Sequence, residues 1–123
     1  MLIVCSMMIS AAKSEAIYSE NKTNITVTAQ QPEFVLKLKS NPTTGYSWFL
    51  QEYNANLITP VKHFFQPPTN GLIGAGGVEF WIFRVLPAAF AIPQQMTIRM
   101  RYARPWEKDK SAMQIVFRVK TTG

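Results

Sequence analysis

From about residue 25 onward, apolar and polar residues alternate with a period of two, and this pattern most constrains the fold. Successive side chains of a strand point to opposite faces of a sheet, so the alternation predicts strands with one buried face. Phe34, Leu36 and Leu38 form such a series. Comparable segments, bounded by Pro, Gly and Asn, lie near residues 25–30, 33–39, 46–52, 57–63, 77–86, 94–103 and 112–120. No segment has the period of a convincing amphipathic helix.

About seven strands in a chain of 123 residues predict an all-β fold, an immunoglobulin-like antiparallel β-sandwich or barrel. A hydrophobic content of 47% supports one domain with a core of its own. Trp48 and Trp81 fall on apolar strand faces and are predicted core residues. Pro60 predicts an edge or bulged position for the fourth strand. The segment from about 64 to 77 lacks a regular apolar period and predicts a long loop.

The N-terminal segment has a different character. Residues 1–12 are mainly apolar and resemble the later part of a secretory signal, although they are too few to span a bilayer. We expect residues 1–16 to be a leader and residues 17–123 to form the single domain, secreted or periplasmic. Cys5 is the only cysteine, which excludes an internal disulfide. The cleavage site and lipidation of Cys5 stay open.

The charge pattern does not indicate a nucleic-acid partner. The chain carries 13 Lys and Arg against 7 Asp and Glu, a net charge of +6, but the basic residues are spread along the predicted strands. A net charge of this size favours solubility, and attraction to an acidic partner is the alternative. We expect no nucleic acid as a partner and no membrane span.

The sequence offers little that could perform catalysis. His63 is the only histidine, and Cys5 lies in the expected leader, so no activated nucleophile is evident. The acidic residues in the predicted strands and loops do not have metal-ligand spacing; they are Glu33, Glu52, Glu79, Glu107 and Asp109. We expect no enzyme activity, no catalytic residues, no metal and no cofactor.

Three short motifs fall where one predicted strand gives way to the next. They are Asn41-Pro42-Thr43-Thr44-Gly45-Tyr46, Gly74-Ala75-Gly76-Gly77 and Arg104-Pro105-Trp106. Pro and Gly favour stiff, defined turns, whereas Thr, Tyr and Trp supply groups for contact. The motifs therefore predict a binding edge built from loops.

Within the first motif, Pro42 and Gly45 are expected to hold Thr43 and Thr44 on a stiff turn. Tyr46 begins a strand and is the residue of this motif most suited to the core.

The other two motifs have different chemistry. The glycines of the second motif permit close approach of a partner's backbone, with a plain flexible loop as the alternative. Trp106 offers a large ring for contact unless it folds back onto its own domain. Arg104 either pairs with an acidic rim on the partner or braces the loop from within.

In this order, with strands between them, the three motifs resemble the motif loops of the chagasin family, which inhibits papain-like cysteine peptidases. The segment from Trp81 to Arg84 also resembles the sequence of that family after its second motif. The resemblance implies an immunoglobulin-like fold whose three loops form a wedge at one end. It implies that the first motif enters the catalytic cleft, with Thr43 near the catalytic pair, and that the other two contact either side.

The expected function is reversible, tight-binding inhibition of a papain-like cysteine peptidase by a monomer. An immunoglobulin-like adhesion or recognition module, using the same loops on a different ligand, is the alternative. The sequence does not identify the target peptidase.

Overall fold

The computed structural model describes residues 16–41, 44–68, 76–106 and 113–122. These residues form eight strands and one short 3-10 helix, Pro87–Phe90. The strands are β1 (Ala16–Ser19), β2 (Asn24–Val27), β3 (Glu33–Ser40), β4 (Ser47–Glu52), β5 (Ile58–Gln66), β6 (Gly77–Val85), β7 (Gln95–Ala103) and β8 (Met113–Thr121). Seven of them match the predicted strands to within a few residues. The prediction missed β1, because its four residues adjoin the expected leader.

The strands form two four-stranded sheets, and the predicted all-β sandwich is confirmed. The first sheet has the order β1-β3-β6-β5 and the second has the order β2-β8-β7-β4. Pairing is antiparallel except at one edge of each sheet, where β1 runs parallel to β3 and β2 runs parallel to β8. The N-terminal stretch thus adds one short strand to each sheet.

The core lies between the two sheets and follows the predicted alternation. Phe34, Leu36 and Leu38 are fully buried on β3, and the ring of Phe34 stacks on that of Phe83 with centroids 5.6 Å apart. Trp48 and Trp81 are buried, as predicted. Met113 alternates in the sequence with polar residues but is 58% exposed, because it is the first residue of β8 and lies at the end of the sandwich.

Strand β5 lies at the edge of the first sheet, and its register shifts between Pro60 and Lys62, as Pro60 predicted. The strand nevertheless continues to Gln66, so the predicted loop of residues 64–77 was too long. Phe64 and Phe65 obscured the alternation because both are apolar. Phe64 stacks on Phe80 across the sheet with centroids 5.1 Å apart.

The connection between β6 and β7 closes the opposite end of the sandwich. Its 3-10 helix buries Ala89, whose carbonyl accepts a 2.9 Å hydrogen bond from the hydroxyl of the buried Thr121. Ile92, in the same connection, is 69% exposed.

Candidate functional site: a braced loop edge

The strand pairing brings the three motifs to one end of the sandwich. In the first sheet Ser40, the last residue of β3, pairs with Gly77, the first of β6. In the second sheet Ser47, the first of β4, pairs with Ala103, the last of β7. We call the described motif residues at this end the loop edge: Asn41, Thr44, Gly45, Tyr46, Gly76, Gly77, Arg104, Pro105 and Trp106. The remaining motif residues, Pro42, Thr43, Gly74 and Ala75, lie outside the described residues.

The first motif is closed by hydrogen bonds within the motif itself. The backbone N–H of Thr44 donates to the Asn41 carbonyl at 3.2 Å, and the Thr44 hydroxyl donates to the same oxygen at 2.7 Å. The N–H of Asn41 donates to the hydroxyl of Tyr102 at 2.9 Å. Gly45 has a φ of 86°, in the region that favours glycine. These contacts hold Asn41 and Thr44 close to each other and to β7, and the stiffness expected at Thr43 stays a prediction.

Arg104 joins the third motif to the first. Its Nε–H donates to the Thr44 carbonyl at 3.0 Å, and its guanidinium lies 4.5 Å from the ring centroid of Tyr46. Arg104 thus braces the loops from within, and its pairing with an acidic rim on a partner stays a prediction. Tyr46 itself is half-buried and lies beneath the guanidinium, just before β4 begins.

Trp106 is the most exposed large apolar side chain in the described part of the chain, at 70%. One edge of its ring nevertheless lies against the first motif. A Cβ placed on Gly45 would be 2.9 Å from Trp106 Cη2, so the ring fits only beside a glycine. Trp106 therefore touches its own domain along one edge, and the rest of its ring is exposed to solvent.

The two described glycines of the second motif lie close to other backbone. A Cβ on Gly77 would be 2.4 Å from the Gln66 carbonyl oxygen and 2.5 Å from the Phe65 ring. A Cβ on Gly76 would be 3.3 Å from the Ser40 carbonyl oxygen. Gly77 is thus required by packing within the domain. That these glycines also admit a partner's backbone stays a prediction.

An aromatic stack supports the loop edge from below, and the sequence analysis did not assign it this role. The Tyr102 ring lies 5.3 Å from that of Tyr46 and 4.9 Å from that of Trp48. In the sequence, Tyr102 is only the last of the apolar residues that alternate with polar ones along β7. Tyr102 could have been identified from its position two residues before Arg104, because from there its hydroxyl can reach the first motif.

A buried carboxylate also lies at the base of the loops. Glu79 is 2% exposed, and one of its oxygens accepts hydrogen bonds from the Ser40 hydroxyl and the Trp48 backbone N–H. In the sequence, Glu79 is one of several acidic residues that do not have metal-ligand spacing. Its position on the inward face of β6, in series with Trp81 and Phe83, is the signal that marks it as unusual.

Within residues 16–41, 44–68, 76–106 and 113–122, no three His, Cys, Asp or Glu side chains lie close enough together to bind a metal ion. In the same ranges no helix has the length and apolar content needed to cross a membrane.

The structure is thus a β-sandwich with three motif loops at one end, of which the first and third are joined by Arg104. The family model described as chagasin family peptidase inhibitor I42 matches residues 26–121. The chain belongs to this family. The family resemblance drawn from the three motifs is therefore confirmed, and so is the prediction of a peptidase inhibitor rather than an enzyme.

Individual relatives agree with this assignment. Chagasin of Trypanosoma cruzi is 33% identical over 87 residues, which cover 66% of this chain and 74% of chagasin. Amoebiasin-2 of Entamoeba histolytica is 28% identical over 80 residues, which cover 63% of this chain and 60% of amoebiasin-2.

Two solved structures have the same fold. The crystal structure of a cysteine protease inhibitor from Entamoeba histolytica matches with a TM-score of 0.70 at 22% identity, over 87% of this chain and 95% of that one. The solution structure of amebosin matches with a TM-score of 0.67 at 20% identity, over 89% and 99% of the two chains.

Proposed function

We propose that this protein is a reversible, tight-binding inhibitor of papain-like cysteine peptidases and that its loop edge enters the active-site cleft. Family membership and the relatives support this function over the adhesion or recognition module. The observation that carries the binding mode is the exposed Trp106 ring beside a first loop that is already braced. The individual contact residues are part of the proposal.

Bracing favours tight binding because the loops lose little conformational freedom on association. Ordering a flexible side chain at an interface costs about 0.5–1.5 kcal/mol each. Here Arg104 already contacts both Thr44 and Tyr46 in the free domain. An interface of standard size, roughly 1,600 Å², is then sufficient for high affinity.

The same bonds explain why the peptidase would bind the first loop without cleaving it. The Asn41 carbonyl accepts two hydrogen bonds from Thr44, and the Thr44 carbonyl accepts one from Arg104. A substrate must instead present a carbonyl in extended geometry, aligned with the attacking thiolate. Because the Asn41 and Thr44 carbonyls are engaged by the domain itself, they are not available in that alignment.

The test compares two single alanine variants, made at side chains of matched exposure, in an assay of papain inhibition. Trp106→Ala removes a side chain that is 70% exposed at the loop edge, and Ile92→Ala removes one that is 69% exposed at the opposite end. We expect Trp106→Ala to raise the inhibition constant about 30-fold or more, the loss typical of a hot-spot aromatic residue, and Ile92→Ala to leave it unchanged. Equal constants for both variants would contradict the loop edge as the binding surface.

A charged substitution in the first motif provides a second test of the same surface. Thr43→Glu is expected to weaken inhibition because it would carry an unpaired charge into the cleft. Thermal unfolding of each variant, followed by circular dichroism, separates lost binding from lost folding. Inhibition that survives Thr43→Glu unchanged would remove the first motif from the interface.

We also propose that the domain acts as a monomer outside the cytoplasm, in the periplasm or after secretion. The apolar character of residues 1–12 supports export. Intact-mass measurement of the protein recovered from the producing cells should show loss of an N-terminal segment of about 16 residues, as the sequence pattern predicts. Full-length protein confined to the cytoplasm would contradict export, and a dimer in sedimentation experiments would contradict the monomer.

A further inference from the structure

We propose that Glu79 is a positioning residue for inhibition, whose carboxylate fixes the first loop relative to the second. This inference rests on the proposed function. Glu79 itself is 2% exposed and cannot contact a peptidase, so it acts through the loops that it holds.

One oxygen of Glu79 holds both ends of the first loop. Oε2 accepts a 2.6 Å hydrogen bond from the Ser40 hydroxyl and a 3.0 Å hydrogen bond from the Trp48 backbone N–H. Ser40 is the last residue of β3, and Trp48 is the second residue of β4. The first motif lies between them, so its two ends converge on a single buried atom.

The other oxygen of Glu79 faces the strand that leads into the second loop. Oε1 lies 3.3 Å from Nε2 of His63 on β5, and the His63 ring stacks on Trp81 with centroids 4.0 Å apart. Glu79 itself follows Gly77 by two residues on β6. The carboxylate, itself on β6, therefore contacts β3 and β4, which flank the first loop, and β5, which precedes the second.

The position of this carboxylate argues for a role beyond stability. It occupies the inward face of β6, where the next two inward residues are Trp81 and Phe83, both buried. A buried carboxylate is costly unless hydrogen bonds compensate it, whereas an apolar side chain would avoid that cost but leave the Trp48 backbone N–H without its acceptor. The carboxylate provides directional hydrogen bonds to its partners. Hydrogen bonds to an ionised acceptor are roughly twice as strong as those between neutral groups.

The contact with Trp48 has a further consequence. Strand β4 is the edge of the second sheet, so one side of its backbone has no neighbouring strand in that sheet. Glu79 supplies an acceptor for an N–H there from a side chain of the first sheet. The bond thus sets the distance between the sheets at the point where the first loop crosses from one to the other.

The experiment uses three variants of the whole chain. Glu79→Gln keeps the shape of the side chain but removes its charge. Ser40→Ala removes one of the two hydrogen bonds to Oε2. It is a smaller change than Glu79→Gln, so this variant is expected to fold even if Glu79→Gln does not. Glu33→Gln is the matched control, because Glu33 makes an ion pair with Arg84 at the other end of the first sheet.

Two kinds of measurement are made at 25 °C. Hydrogen–deuterium exchange of residues 41–48 is compared with exchange of the core strands β3 and β7 in the free domain. For each variant that folds, we measure the inhibition constant for papain and the rate at which the variant dissociates from papain.

We expect Glu79→Gln to speed exchange in residues 41–48 about tenfold and to raise the inhibition constant about tenfold through faster dissociation. Ser40→Ala should have the same effects to a smaller degree, and Glu33→Gln should have neither. A role in stability alone would lower the melting temperature but leave both the local exchange and the inhibition constant unchanged in the folded variants, which would overturn the inference. If the native protein inhibits no papain-like peptidase, the proposed function fails. In that case the exchange data still decide whether Glu79 positions the loop.

Discussion

The contact between Gly45 and Trp106 leads to the sharpest prediction, the effect of Gly45→Ala. At a φ of 86° an L-residue pays roughly 1–2 kcal/mol relative to glycine. The new methyl group would also lie 2.9 Å from Trp106 Cη2, which is too close. Because the Trp106 ring is 70% exposed, it can swing outward and relieve the clash.

The two effects should appear in different measurements. The backbone term lowers the free energy of unfolding by about 1–2 kcal/mol, which corresponds to a fall of about 4–8 °C in Tm for a domain of this size. The displaced ring changes the surface offered to the peptidase, so the inhibition constant should rise about tenfold, or 1.4 kcal/mol. Thermal unfolding by circular dichroism and a papain inhibition assay measure the two separately.

Gly76→Ala is the matched control for adding one methyl group at the same edge. Among the described glycines only Gly45 has a positive φ, and a Cβ on Gly76 would come no closer than 3.3 Å to other atoms. The control should therefore lower Tm by less than Gly45→Ala. A Gly45→Ala variant as stable as the native protein would refute the reasoning, because at compatible sites this substitution stabilises by about 0.4–1 kcal/mol.

Three other substitutions test the remaining contacts. Arg104→Ala removes the bond to the first loop and should weaken papain inhibition about fivefold, at about 1 kcal/mol for the bond, with Tm nearly unchanged; unchanged inhibition would contradict the brace. Tyr102→Phe removes the acceptor of the Asn41 N–H and should speed amide exchange at Asn41; exchange at the native rate would contradict this role. Thr121→Val removes the hydroxyl that donates to the Ala89 carbonyl and accepts from the Gln94 backbone N–H, and should lower the free energy of unfolding by about 1–3 kcal/mol in urea, with the inhibition constant unchanged. A changed inhibition constant for Thr121→Val would show that the two ends of the sandwich are coupled.

Much of the fold could be predicted from the sequence because its strands bury one face. The alternation around Phe34 and Leu36 identified β3 and its core face, and Pro60 identified the edge strand. The prediction failed where the period is not visible. Phe64 and Phe65 are both apolar although they lie on opposite faces of β5, and β1 is too short to show a period.

The loop edge could be predicted in composition but not in its internal contacts. The turn residues marked all three motifs, since Pro and Gly restrict the backbone in ways that sequence makes visible. The bonds from Arg104 to Thr44 and from Asn41 to Tyr102 join residues 60 or more positions apart. Such pairings depend on the register between sheets, which the motifs do not specify. Glu79 was missed for the same reason, because its partners lie on three other strands.

The central claim is that the intact domain blocks a papain-like peptidase reversibly. The direct measurement titrates papain with the domain, follows hydrolysis of a fluorogenic peptide, dilutes the complex, and determines the mass of the recovered domain. The account predicts loss of activity at one domain per enzyme, recovery of activity on dilution, and a domain of unchanged mass. A domain that leaves papain and a cathepsin-L-like enzyme fully active at micromolar concentration, or one recovered cleaved within the first motif, would contradict it.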